Sequence, residues 1–244
     1  MLNHAVDSVA GYAGVPSSSL GAVDSYGQNA QLSQATEFLD EVPVMLATVF
    51  GLDMLLQEPN IDLRLVSELV LSDVGATIQT LRLVSREYEI ASERPNRMCE
   101  CIAGLDATLW FETLSTRIFV GDKERSATTA VWKHCRLVAQ CARFVAESMD
   151  DITPDDAYMI GLLHGIGAVP AALGWPESQL WRAMSAMEDT LPPLVLAAIR
   201  SVNDTSCSSV WRFLLTAAHK LAGAQVYPHV TVPCQFKSLA MSAQ

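Results

Sequence analysis

The sequence predicts an all-helical protein, and three observations carry that prediction. Apolar residues recur in steps of three and four along successive stretches, as in Val74, Ile78, Leu81, Ser85 and Tyr88. Helix-start residues precede these stretches: Asp62, Asp73, the pair Thr153 and Pro154, and the pair Pro192 and Pro193. With 50% hydrophobic residues in 244, the chain can also build a substantial core.

Taken in order, residues 1–30 mix Gly, Ser, Asn and Asp with no sustained period and read as a flexible leader. Residues 31–225 read as one helical domain, possible to divide at the polar loop Gly121 to Ser126 into halves 31–121 and 122–225. Residues 226–244, with Pro228 and Pro233, read as a tail. In the first half Phe38, Leu39, Val42, Val44, Leu46, Val49 and Leu52 are dense and apolar, and Pro43 is placed to start or bend a helix. Asp62 caps the next helix, whose apolar face is Leu65, Val66, Leu69 and Val70, and Asp73 caps another. Arg82, Arg86, Arg94 and Arg97 read as solvated charges paired with Glu87, Glu89 and Glu93.

In the second half Val131, His134, Val138, Cys141 and Val145 share a stripe, which turns His134 inward. Thr153 to Pro176 then reads TPDDAYMIGLLHGIGAVPAALGWP. Thr153, Pro154, Asp155 and Asp156 favour a helix start, and Ala157 to Leu163 are apolar or Gly throughout, as in a buried helix. His164 ends that helix, and Gly165 and Gly167 can take the positive φ of a tight closing turn. Further helices are expected between Pro176 and Leu191, with Leu180, Ala183, Met184 and Met187 inside, from Pro192 and Pro193, and after Ser208 or Ser209.

Composition narrows the function. A formal charge of −11 opposes the phosphate contacts that give nucleic-acid binding its affinity, so no nucleic acid is expected as a direct partner. The six cysteines form no C-x-x-C pair and read as reduced core thiols, which with acidic Asp7 in place of a basic signal region points to the cytoplasm. The apolar run Ala157 to Pro176 is broken by Gly and Pro into pieces too short to cross a membrane.

The motifs carry a family resemblance. GLLHGIG resembles the GLLHDIG signature of the HD-related output domain (HDOD), a bacterial signalling module similar to the HD metal-dependent phosphohydrolases. SDVGATIQTLRLVSREY resembles another stretch of that family, with Asp73, Leu81, Arg82, Leu83 and Tyr88 matching, and CIAGLDATLWFETLS resembles a third, with Asp106 where Gly is usual. Asp tolerates the left-handed conformation that such a turn would need. WKHCRLVAQCARFVAE is similar to the helix that carries the first metal-binding His of HD proteins, and in TAAHKLAG His219 stands where those enzymes carry their closing Asp. Val202 and Asn203 occupy a region where the family carries paired His.

The resemblance implies an HD-like helical bundle and places His134, His164 and His219 at metal-ligand positions, but Gly165 stands where the signature has its Asp. A site that loses its carboxylates loses the charge that holds a metal for phosphate-ester chemistry. The expectation is therefore a non-catalytic signal-transduction module with a degenerate motif, His164, Gly165 and Gly167, no cofactor and protein partners, among which the resemblance suggests cyclic-dinucleotide or phosphorelay components. Two alternatives remain: a phosphohydrolase-like protein holding Zn or another divalent transition metal on His134, His164 and His219, and a small-ligand sensor that binds a nucleotide.

Overall fold

The computed structural model describes residues 41–88, 90–118, 122–176, 186, 189–203 and 209–226. The expected leader 1–30, and Leu180, Ala183, Met184 and Met187 of the helix expected after Pro176, lie outside these residues.

Ten α-helices of the described residues build the fold. The first five are α1 (Leu46–Leu56), α2 (Leu63–Leu71), α3 (Val74–Glu87), α4 (Met98–Ala103) and α5 (Ala107–Ser115). The second five are α6 (Asp122–Ala146), α7 (Pro154–Leu163), α8 (Val169–Ala172), α9 (Pro193–Asn203) and α10 (Val210–Val226). In the first group α3 packs on α2, α4 and α5; in the second α6 lies along α7 and α10, with α9 against both α7 and α10. The two groups meet where α3 touches α6. No helix among the described residues is long and apolar enough to cross a membrane.

The capping residues read from the sequence set the starts. Asp62 accepts the Arg64 N–H at 2.9 Å, Thr153 accepts the Asp156 N–H at 3.1 Å, and Ser209 accepts the Trp211 N–H at 3.2 Å. Four expectations are corrected. Pro43 starts no helix: Val42 and Val44 are buried in an extended segment, and Val44 bridges to Ile118 before α1 begins at Leu46. Leu65 faces outward, because α2 buries Val66, Ser67, Val70 and Leu71 instead. Asp106 takes φ −65° and caps α5 through the Leu109 N–H, so no left-handed turn is needed there. The polar loop expected at Gly121 to Ser126 is helical from Asp122 onward, since α6 starts there.

Asp73 does far more than cap a helix. Its Oδ1 accepts the Gly75 N–H at 2.9 Å and the Trp132 indole N–H of α6 at 2.6 Å, while Oδ2 accepts the Met45 N–H at 2.7 Å. One buried carboxylate thus joins the extended segment, α3 and α6. Burial raises its pKa above 3.8, against the hydrogen bonds from Met45, Trp132, Thr48 and Ala76 that lower it. Gly75 is required by proximity: a Cβ there would lie 1.8 Å from the Pro43 carbonyl oxygen. Every residue of α3 from Val74 to Val84 is buried, which corrects the reading of Arg82 as a solvated charge. Arg82 is 2% exposed, and burial, then Arg86 and Arg117, lower its pKa to about 10. Arg94 bonds the Tyr88 and Asp189 carbonyls, tying the first half to the second through backbone oxygen.

Removing the Asp73 carboxylate strands the Met45, Gly75 and Trp132 N–H donors at once, the last of them across the junction between the halves. Asp73→Ala is expected to lower unfolding free energy by about 2–4 kcal/mol, against about 0.5–2 kcal/mol for Asp62→Ala at an exposed cap. Urea titration of both variants checks this, and equal losses would count against the junction.

Candidate functional site

His164 is the C-cap of α7 and only 8% exposed. α7 ends there without a positive-φ glycine: Gly165 sits at φ −89° and leads into a 3-10 turn, Ile166–Ala168, while the left-handed glycine among the described residues is Gly174. The expected conformational role of Gly165 and Gly167 is thus corrected, and Gly165 has a steric one. A Cβ at Gly165 would lie 2.6 Å from the Cys135 sulfur of α6. Gly161, one turn earlier, faces α6 the same way, where a Cβ would lie 2.7 Å from the Ala139 Cα and 3.0 Å from the Ala142 Cβ. Burial pushes the Cys135 thiol up to about 12, with the Gly165 N–H pulling weakly the other way, so the sulfur stays a neutral wall.

This close approach brings three imidazoles together from three helices: His134 of α6, His164 of α7 and His219 of α10. One ligand atom from each lies within 4.8 Å of the others. Ring centroids are 5.6 Å apart for His134 and His164, 5.3 Å for His134 and His219, and 4.6 Å for His164 and His219. His164 is buried, while His134 and His219 are partly exposed. Among the described residues, this grouping includes no carboxylate.

The His164 tautomer follows from its partner. Nδ1 lies against the Gly161 carbonyl, which can only accept, so Nδ1 carries the proton and Nε2 keeps its lone pair. Burial, then His219, lower the His164 pKa to about 3, and burial, then His134, lower that of His219 to about 4. Burial lowers His134 as well. All three rings are neutral at pH 7.

The family resemblance implied that the three histidines converge, and the structure brings their rings together. Asp155 and Asp156 do not join them: Asp155 pairs with Arg143 at 3.1 Å, and Asp156 lies in the first turn of α7. Cys135 and the Gly161 carbonyl are the participants that sequence reasoning missed. The signal was there in part, since Cys135 follows His134 directly and Gly161 stands three residues before His164.

The family model of the HDOD domain matches residues 42–190 of this chain. The chain belongs to the HDOD family. The match ends before α9, so His219 is supplied by a helix beyond it. The HDOD fold is shared with solved structures of the MmoQ response regulator from Methylococcus capsulatus strain Bath. One, a fragment spanning 20–298, is 16% identical with a TM-score of 0.57, covering 78% of this chain and 88% of that one. Another is 16% identical with a TM-score of 0.59, covering 76% and 87%. No curated protein matches the chain.

Neutral buried histidine makes stability depend on pH. Unfolded His164 takes up a proton below about 6.5, whereas the folded ring resists protonation down to about 3, so its contribution is complete above 6.5 and is lost as pH falls through that window. Chelator-treated protein is expected to lose about 2 kcal/mol from this residue between pH 7 and pH 5. Urea melts of wild type and His164→Gln across that range check it: the variant's pH slope should be flatter, and parallel slopes would contradict the assignment.

Proposed function

We propose that this HDOD protein is a signal-transduction module that acts by contact with other proteins and does not turn over a phosphate ester. The observation that carries the reading is the position of Gly165. The carboxylate that the HD signature would place there is missing, and the volume it would enter is bounded by the Cys135 sulfur. His219 likewise brings an uncharged ring where HD enzymes would bring an anion. Metal-assisted attack on a phosphate ester relies on ligands that hold the ion and orient an activated water, and an all-imidazole grouping supplies no carboxylate base for that task.

Two further facts support a contact role. The protein of both solved structures, MmoQ, is a response regulator by name, which favours phosphorelay signalling proteins as partners, and the family resemblance adds cyclic-dinucleotide components. On α1, Leu46, Phe50 and Met54 lie four residues apart and are 39%, 63% and 66% exposed, an apolar stripe of the sort helices use against a partner protein.

The test has two arms. Full-length protein incubated with a phosphodiester panel, cyclic dinucleotides included, and with manganese or zinc is expected to show no turnover above background. Capture from the native cell is expected to retain a phosphorelay or cyclic-dinucleotide signalling protein that a Phe50→Asp/Met54→Asp variant of unchanged melting temperature loses. Stoichiometric metal-dependent hydrolysis abolished by His164→Gln would overturn the reading.

A further inference from the structure

We infer that His134, His164 and His219 form a binding site for one divalent transition metal ion of the zinc class, which ties α10 to the α6 and α7 pair. This goes beyond the contact reading, and does not depend on it.

The site does not suit the ions that carboxylate-rich phosphohydrolase centres hold. Magnesium, calcium and manganese favour oxygen ligands, and among the described residues this grouping offers nitrogen alone. Imidazole donors suit zinc, nickel and copper. Three histidines with one position left for water or a small anion form a known zinc arrangement.

Geometry fits that ion with small adjustment. Zinc held at about 2.0–2.1 Å from tetrahedrally disposed nitrogens puts those nitrogens roughly 3.4 Å apart. Ligand atoms within 4.8 Å of one another reach that spacing when each ring moves inward by less than about 1 Å. His164 needs no change of tautomer, because the Gly161 carbonyl already takes the Nδ1 proton and leaves Nε2 as the donor, the role an outer partner plays at metal-bound histidine. A cation bound by His164 also sits near the C-terminal end of α7, the end that the helix dipole makes negative. His164 is buried, whereas His134 and His219 are partly exposed, so the ion would not be sealed from solvent on every side.

Each ligand comes from a different helix, so a bound ion cross-links three elements. α10 lies beyond the residues that match the HDOD family model. The ion would therefore tie α10, the last of the described helices, to α6 and α7.

The experiment uses the full chain, stripped with chelator and titrated with zinc, cobalt(II) and magnesium. One zinc or cobalt per chain is expected, with visible cobalt bands of the intensity given by four- or five-coordinate sites. At about a hundredfold excess over Kd, zinc is expected to raise the melting temperature by about 5–10 °C, and magnesium to leave it unchanged. His219→Gln and His134→Gln should each weaken zinc binding by at least about tenfold while the metal-free variants melt near metal-free wild type. If one variant fails to fold, the other gives the same reading. Absence of zinc and cobalt binding overturns the proposal, as does binding that both variants retain, or a magnesium shift equal to that of zinc. Phosphodiester turnover and partner capture play no part in this outcome, so the two proposals can fail separately.

Discussion

The second half of the molecule depends on how closely α7 approaches α6. Gly161 sets its backbone against Ala139 and Ala142, and Gly165 does the same against the sulfur of Cys135. Small residues on both helices allow that distance, and interiors packed to crystal density do not accommodate an added methylene without strain. The approach also fixes the chemistry. It carries His164 to within ring contact of His134, points the Gly161 carbonyl at the His164 Nδ1, and fills with sulfur the space beside residue 165.

A second constraint holds the two halves together. The Asp73 carboxylate receives donors from the extended segment, from α3 and from α6, and the Tyr158 hydroxyl reaches the Leu71 carbonyl at 3.2 Å close by. The polar groups at this junction are buried and paired, which makes them costly to disturb and gives the halves one relative placement. The imidazole site lies in the second half, on helices that this junction anchors through α6.

Much of this was legible in the residues. Caps at Asp62, Asp73 and Thr153 were read correctly because capping is local chemistry, Ser209 takes the cap left open between it and Ser208, and the run from Ala157 to Leu163 announced a buried helix because no face of it suits water. The convergence of His134, His164 and His219 followed from a resemblance, since residues this far apart in the chain leave no local signal of contact. What escaped the sequence was long-range. Pro43 sits in an extended segment because Val44 finds a partner at Ile118, 74 positions away. Arg82 is buried because α3 is covered on every side, although its charge favoured solvent. Gly165 is small on account of Cys135 rather than of its own dihedral angles, a cause that no pattern around residue 165 discloses.

The most direct test of the central claim is the stability coupling between Cys135 and Gly165, measured by a double-mutant cycle of Cys135→Ala and Gly165→Ala in urea. With the sulfur present, the added methyl should destabilise by about 1–3 kcal/mol. With Cys135→Ala it should be neutral or stabilising by up to about 1 kcal/mol, as glycine replacement is where the backbone permits it. Gly165→Ala as stable as wild type beside an intact Cys135 would show that room for a side chain exists there, and would contradict the account.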